Sequence, residues 1–309
     1  MSTHLHVPQN TQATRRLALS LALTAVFVVV EALAGWWANS LALLTDAGHN
    51  FTDVLALGLS WFAMWLTTQP ADSAKTYGHQ RAGILAALVN STSLAIISIG
   101  VFYEAYKRFI APPEVQADIL VGVGFLAFLV NAVTAWLVHK GSDHDLNLRS
   151  AFVHLMGDVL STIGAVIAGV VILFAGWNFL DPLVSVLIGL LILWNAWGIL
   201  RETLDILLEN APRDVDMPNL TNDLLTVGGV RGVHHVHVWS INRSLRALSA
   251  HVLTDDISVS QGAFVQQAIN DLLFNKYNIG HATLQLECSE CDPDMMYCLE
   301  VDTHERTGR

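Results

Sequence analysis

Long runs of apolar residues follow one another through the first two thirds of the chain, separated by short polar connections. Each run approaches the ~20 residues that an α-helix needs to cross the hydrocarbon core of a bilayer. The pattern therefore predicts six transmembrane helices. We expect them at Leu17–Trp37, Leu41–Leu66, Ala82–Phe109, Ile119–Val138, Ser150–Ala175 and Pro182–Leu207.

After Pro212 the periodicity changes to that of a small folded domain. Met217–Val227 and Gln261–Tyr277 repeat their apolar residues as helices do, whereas three other stretches alternate as strands do. The strands are expected at Gly232–Ile241, Leu245–Leu253 and His281–Glu287. The order α-β-β-α-β predicts an α+β domain with one three-stranded sheet, of the ferredoxin or metallochaperone type.

The predicted fold class is thus a membrane α-helical bundle with six transmembrane helices and a small cytoplasmic α+β domain. We divide the chain into a cytoplasmic N-terminal segment, a transmembrane domain, a metal-binding α+β domain and a disordered acidic tail. These parts comprise residues 1–16, 17–208, 212–291 and 292–309.

Composition and charge agree with this class. Only 14% of the residues are charged, well below the roughly 25% of soluble domains, and 53% are hydrophobic. The net charge of −11 argues against a nucleic-acid partner. Lys and Arg at the proposed helix ends lie mostly on the side of the N-terminus, and only Lys107 and Arg108 lie on the other. Both termini are therefore expected in the cytoplasm, and the bundle is expected to be surrounded by membrane lipid.

Two polar cassettes interrupt the second and fifth apolar runs. His49 and Asp53, like His154 and Asp158, are four residues apart, so each pair shares one face of a helix. A carboxylate in lipid is unfavourable unless it is paired, hydrated or bound to a metal. One such pair alone is explained by a hydrogen bond in helix packing, but the same spacing in two spans favours a shared site. Two imidazoles and two carboxylates form a tetrahedral donor set for Zn²⁺, and Co²⁺ fits the same geometry.

Two other carboxylates lie inside the predicted spans. Glu104 is followed one turn later by Lys107 and Arg108, and we expect it to pair with them. Glu31 has no such neighbour, and an intramembrane carboxylate is a functional hypothesis by default. One hypothesis for Glu31 is that it lines a water-filled route to the His–Asp site.

Histidine and cysteine are frequent in the C-terminal domain. Cys288 and Cys291 form a C-x-x-C pair, a spacing that suits metal-bound thiolates. On a regular strand, His235 and His237 would share one face and His234 would lie on the other. Strand-face histidines are usually ordinary polar contacts, so this signal is weaker than that of the spans.

Taken together, these motifs resemble the cation diffusion facilitator family, in its zinc-exporting branch. The resemblance covers nearly the whole chain and is carried by five stretches of sequence. They are Ser40–Asp53, Tyr77–Arg81, Asp145–Asp158, the Asp181-Pro182 pair and Val233–Trp239.

The resemblance implies a homodimer in which each protomer exports a divalent cation in exchange for protons. The family's transport site matches His49, Asp53, His154 and Asp158, and histidine at position 49 implies a preference for zinc. The short loops are similar to those of bacterial members and imply the bacterial cytoplasmic (inner) membrane.

The resemblance also implies other metal-binding positions, with a structural or regulatory zinc in the cytoplasmic domain. A loop site that some members use is matched by Asp72 and His79, but Lys75 stands at the middle position and does not ligate while protonated. Arg81 and Glu209 match a charge pair at the cytoplasmic dimer contact. The candidates for the cytoplasmic-domain site are His234, His251, His281, Glu287, Cys288 and Cys291, with His4 and His6 from the N-terminus.

The His–Asp site also explains the coupling of metal to protons. Imidazole must be neutral and carboxylate ionised to bind a metal, so Zn²⁺ and H⁺ compete for the same groups. The sequence therefore predicts a Zn²⁺/H⁺ antiporter that works by alternating access.

Three alternatives stay open at this point. The same transporter with a broader substrate range would carry Co²⁺, Cd²⁺, Fe²⁺ or Mn²⁺. An intramembrane metalloenzyme is disfavoured, because the sequence contains no H-E-x-x-H and a closed four-ligand shell leaves no position for catalytic water. A metal sensor or scaffold anchored by the spans would leave the two buried ligand pairs unexplained.

Overall fold

The computed structural model describes residues 11–142 and 146–288 of the 309-residue chain. The predicted ligands His4, His6 and Cys291 and the predicted acidic tail lie outside these ranges. The chain forms two compact units. One comprises Met1–Phe62 and Ala86–Leu200, and the other comprises Ala63–Leu85 and Arg201–Arg309.

All six predicted spans are helices. Three of them extend one to two turns beyond the predicted bounds, α1 and α5 at the N-terminal end and α4 at the C-terminal end, because a helix can continue into the polar residues beside an apolar run. The helices are α1 (Thr11–Trp37), α2 (Leu41–Thr67), α3 (Ala82–Ile110), α4 (Ala117–Ser142), α5 (Leu146–Ala175) and α6 (Leu180–Leu207).

Four of these helices contain described segments long and apolar enough to cross a membrane, namely those within α3, α4, α5 and α6. A shorter apolar segment, Ala22–Trp37, lies in α1, and α2 carries the polar residues of the His–Asp cassette. Large apolar side chains point outward from the bundle, with Trp36, Phe174 and Trp194 between 74% and 84% exposed. Such a surface suits a lipid environment and is unfavourable in water.

Helices α4 and α5 approach closely at a glycine. A Cβ atom at Gly169 would lie 2.9 Å from side-chain atoms of both Leu120 and Val121. Small residues permit this kind of close approach in membrane bundles, where packing replaces the hydrophobic effect as the driving force. The contact holds α5, and with it half of the His–Asp residues, against the neighbouring helix.

The first turn of α2 is held by a carboxylate from α6. Asp181 is fully buried and accepts hydrogen bonds from Ser40 Oγ at 2.6 Å and from the backbone nitrogens of Leu41 at 2.7 Å and Ala42 at 3.2 Å. These nitrogens have no partner within the helix, and the helix dipole favours a negative charge there. Arg108 Nη1 lies 3.5 Å from Asp181 Oδ2 and balances its charge.

The C-terminal domain has the predicted order of elements. They are α7 (Met217–Leu225), β1 (Gly232–Ser240), β2 (Arg246–Leu253), α8 (Val259–Tyr277) and β3 (His281–Glu287). The sheet order is β1-β2-β3, with β1 and β2 antiparallel and β2 and β3 parallel. A single core joins the sheet to both helices, and its fully buried side chains are Leu220, Leu224, Val236, Leu248, Val252, Ile269 and Leu273.

Strand β1 is not regular, which corrects the predicted alternation of its histidines. His234 pairs with His251 and His237 pairs with Ser249, so two residues of β1 face one residue of β2. His235 has a φ of 51°, in the left-handed region. This β-bulge breaks the two-residue period, as bulges do, and brings the His235 ring to 5.0 Å from the His251 ring.

Candidate metal centres

The four predicted intramembrane ligands converge. α2 carries His49 and Asp53, and α5 carries His154 and Asp158, with one potential ligand atom of each within 4.8 Å of all the others. His49 Nε2 lies 3.3 Å from an Asp158 oxygen and 3.6 Å from an Asp53 oxygen. His154 Nε2 lies 2.9 Å from an Asp53 oxygen and 3.8 Å from an Asp158 oxygen. Each imidazole therefore faces both carboxylates.

These distances match the edges of a metal-centred tetrahedron. Bonds of about 2.0–2.1 Å from zinc to nitrogen and oxygen give ligand-to-ligand edges of roughly 3.3–3.4 Å. The four His–Asp distances, 2.9, 3.3, 3.6 and 3.8 Å, scatter around that value, and Asp158 contributes its Oδ1 to the 3.3 Å distance and its Oδ2 to the 3.8 Å distance. His154 Nε2 and Asp53 Oδ2 are within hydrogen-bonding distance of each other, and the group as a whole is suited to a small divalent cation.

The four ligands are unequally exposed. The side chains of His49 and Asp158 are 10% and 7% exposed, whereas those of Asp53 and His154 are 24% and 42% exposed. A cavity of about 510 Å³ leads to the open pair, between α2, α3, α5 and α6. Its polar lining includes Asn90 from α3, Ser161 from α5 and Asn195 from α6, beside the four His and Asp residues.

A second polar cluster lies behind the buried side of the site. Asn50 Nδ2 lies 3.4 Å from both Glu31 Oε2 and Asp46 Oδ2, and Ser161 Oγ donates to Asp46 Oδ1 at 3.0 Å. Glu31 is completely buried and is absent from the lining of the 510 Å³ cavity. The hypothesis that Glu31 lines a water-filled route is therefore not met in this structure. Glu104, by contrast, pairs with Lys107 and Arg108 as predicted.

Three of the predicted cytoplasmic ligands form a second candidate centre. Ligand atoms of His234, His251 and Glu287 lie within 4.8 Å of one another. His251 Nδ1 lies 2.8 Å from Glu287 Oε1, and His234 Nε2 lies 3.2 Å from Glu287 Oε2. Although His234 Nε2 and Glu287 Oε2 lie this close to each other, both are buried and neither makes a hydrogen bond within the described part of the chain. Unsatisfied buried atoms of this kind need an explanation, and a bound cation supplies one.

The other predicted cytoplasmic ligands lie apart from this centre or beside it. His281 begins β3, six residues before Glu287, and is therefore about 20 Å away along the strand. Its ring contacts Tyr77 instead, at 5.7 Å between ring centroids. Cys288 is exposed and follows Glu287 directly. The regular alternation predicted for β1 placed His235 on the opposite face from His234. The bulge brings it close to this centre instead, and no sequence pattern of β1 predicted that bulge.

The loop candidates Asp72 and His79 are engaged with other groups. Asp72 Oδ1 accepts hydrogen bonds from the backbone nitrogens of Lys75 at 2.7 Å and Ala74 at 2.8 Å, and these bonds lower the pKa of that carboxyl. Lys75 Nζ lies 3.1 Å from His79 Nε2. Within the described ranges, neither residue belongs to a group of three or more potential ligands.

The predicted charge pair is present within one protomer. Arg81 Nη2 lies 2.9 Å from Glu209 Oε1, and both side chains are exposed. An exposed pair of this kind contributes only about 0–1 kcal/mol to stability.

Two models of known families match the chain. The cation efflux transmembrane domain matches residues 17–208, and the cytoplasmic domain of cation efflux proteins matches residues 212–289. The chain therefore belongs to the cation efflux (cation diffusion facilitator) family. It is a multi-pass membrane protein that transports metal cations and is not an enzyme, as the sequence predicts.

Individual relatives are similar over most of their length. The zinc transporter ZitB of Yersinia pestis is 38% identical over 298 residues, which cover 94% of each chain. The cadmium, cobalt and zinc/H(+)-K(+) antiporter of Bacillus subtilis is 34% identical over 274 residues, or 88% of each chain. A solved structure, the metal-bound C-terminal domain of the CzcD transporter from Cupriavidus metallidurans, is 27% identical, covers 24% of this chain and 99% of its own, and has a TM-score of 0.22.

Proposed function

We propose that this protein exports Zn²⁺ from the cytoplasm in exchange for protons, by alternating access and as a homodimer. The observation that carries the proposal is the convergence of His49, Asp53, His154 and Asp158 at the spacing of a tetrahedral zinc shell. Two imidazoles favour zinc over the harder Mn²⁺, which prefers oxygen ligands. The name of the Yersinia relative supports the same metal.

The one-sided exposure of the site supports an inward-open state. α2 and α5 run in opposite directions, so Asp53 and His154 both lie on the side of the C-terminal end of α2. With cytoplasmic termini, that side faces the cytoplasm, and these are the two more exposed ligands. Zinc enters from the cytoplasm through the 510 Å³ cavity and reaches the buried pair, His49 and Asp158, last.

Proton coupling follows from the chemistry of the ligands. Metal binding needs neutral imidazoles and ionised carboxylates, so acid on the outer side favours zinc release, and the neutral cytoplasm favours zinc capture. The name of the Bacillus relative includes protons and also cadmium and cobalt, which fit the same tetrahedral donors. A broader range that includes Co²⁺ or Cd²⁺ is therefore our second candidate.

The cytoplasmic centre is proposed as a structural or regulatory zinc site. His234, His251 and Glu287 supply three ligands, and Cys288 and Cys291 are next along the chain. Zinc that fills this centre would hold the cytoplasmic domains of the homodimer together and favour transport. We retain the proposed domains at residues 1–16, 17–208, 212–291 and 292–309, with both termini on the cytoplasmic side of a bacterial inner membrane.

Zinc uptake into inside-out proteoliposomes tests the proposal. Wild-type protein should accumulate zinc when the vesicle lumen is acidic, and Asp53→Ala and His49→Ala should not. Asp118→Asn is the matched control, because Asp118 is an exposed carboxylate of the same helical unit outside the site. Transport that survives Asp53→Ala, or that ignores the pH gradient, would contradict the proposal. Uptake assays with each of the other metals in turn, added outside the vesicles, separate a zinc transporter from one with the broader range.

A further inference from the structure

The Glu31–Asp46 pair is not explained by metal binding at the His–Asp site. Both carboxyl groups are buried, and they lie within hydrogen-bonding reach of each other. Their other near neighbours are the neutral groups of Asn50 and Ser161. Among the described residues no ion pair joins either carboxyl to Lys or Arg, since Lys107 and Arg108 are engaged at Glu104 and Asp181.

One carboxyl oxygen of the pair is not satisfied by the surrounding groups. Glu31 Oε1 is buried and has no hydrogen-bond partner among the residues that the structure describes. Buried carboxylate oxygens are almost always satisfied, and two ionised carboxylates side by side in a membrane interior repel each other. A positive charge or a proton between them removes both problems.

Among the described residues, the charged groups nearest the pair lie on α2 and α5. α2 contributes His49, three residues from Asp46, and α5 contributes Asp158. α4 also packs against α1, but its sequence from Ile119 to Val138 contains no charged residue. The pair therefore senses the charge of the His–Asp site more than any other.

We propose that Glu31 and Asp46 form a second cation site that holds one proton between the two carboxyl groups and releases it when a divalent cation fills the His–Asp site. On release, the carboxyl O–H bond breaks and the pair passes from one negative charge to two. The divalent cation nearby offsets the added charge. Ser161 provides the exit, because its hydroxyl donates to Asp46 and also lines the cavity that leads to solvent.

The donors favour a proton over an alkali cation. A bare metal ion needs a shell of several oxygen ligands. Asn50 instead turns its amide nitrogen, which is a hydrogen-bond donor and not a cation ligand, toward both carboxyl groups. A proton needs only the two acceptors that are present. The counter-ion would then be bound apart from the metal, so that protons and zinc do not have to compete for the same ligands throughout the cycle.

The inference rests on the proposed antiport and is tested by counting protons. Full-length protein is reconstituted into vesicles with a zinc dye and a pH dye, and protons moved per zinc are measured for wild type and Glu31→Gln. We expect Glu31→Gln to move zinc down its own gradient with about one proton fewer per zinc, and Glu31→Asp to restore the ratio. Glu114→Gln, which removes an exposed carboxyl, should leave the ratio unchanged.

A wild-type proton-to-zinc ratio in Glu31→Gln would overturn the second site. If Glu31→Gln does not fold, Asp46→Asn removes the other half of the pair and is judged in the same way. If a variant folds but does not transport, proton release on zinc binding in detergent decides: a lower count supports the pair, and an equal count refutes it. The wild-type ratio is also measured with K⁺ and with choline as the buffer cation. If it is reached only with K⁺, an alkali cation occupies the Glu31–Asp46 site, and the proposal of a bound proton is refuted. Active Asp53→Ala would instead refute the antiport itself.

Discussion

Removal of the His154 imidazole tests the four-ligand site with little disturbance of the fold. The side chain is 42% exposed at the mouth of the cavity, and its removal breaks the 2.9 Å contact with Asp53, so His154→Ala should lower the free energy of unfolding by about 1–2 kcal/mol. Zinc bound by four protein ligands is worth about 10–16 kcal/mol, so one ligand accounts for roughly 2.5–4 kcal/mol. The affinity should therefore fall about 70- to 800-fold.

Competition with a zinc-binding dye on purified full-length protein measures this loss. A His251→Ala background weakens the cytoplasmic centre, so that the remaining tight zinc reports the His–Asp site. His139→Ala is the control, because it removes an exposed histidine of α4 that is not among the four converging ligands. An affinity loss below about threefold in His154→Ala would refute the four-ligand site.

Further predictions concern the packing that positions the site and the cytoplasmic domain. Asp181→Ala removes the cap of α2 and should lower stability in detergent by about 1–3 kcal/mol, whereas Ser185→Ala, which removes only a bond to its own helix, should cost less. Gly169→Ala should destabilise by about 1–3 kcal/mol through contact with Leu120 and Val121, whereas Gly164→Ala, which has open space, should not. Equal melting temperatures within either pair would contradict this. Hydrogen bonds from Lys276 and Tyr277 lower the pKa of Asp223, so its stabilising effect is present at neutral pH and is lost as the pH falls through that lowered value. Asp223→Asn should therefore increase hydrogen exchange in α7 at pH 7, and exchange equal to wild type would show that the pair is not stabilising.

The described helices and strands were largely predictable from the sequence. Apolar runs of membrane length and strict alternation are direct consequences of helix and strand geometry, and β3 begins and ends at the predicted residues. The ligand pairs were predictable for the same reason, since a spacing of four residues places both side chains on one helix face.

The exceptions are contacts that depend on distant parts of the chain. The bulge at His235 arises in the pairing of β1 with β2, and His281 is separated from Glu287 by the length of β3. Glu31 faces Asp46 and Asn50 rather than a water-filled route because of how α1 packs in the bundle. The pattern of neighbouring residues in the sequence does not predict these long-range contacts.

The sequence by itself determined that this protein is a membrane bundle with two His–Asp cassettes and a small α+β domain. It did so because hydropathy and periodicity act through neighbouring residues. Only the tertiary structure decided that the two cassettes meet at distances between 2.9 and 3.8 Å, and that a second carboxyl pair is buried behind them. Those facts depend on which helix faces pack together, and the packing is set by the whole bundle.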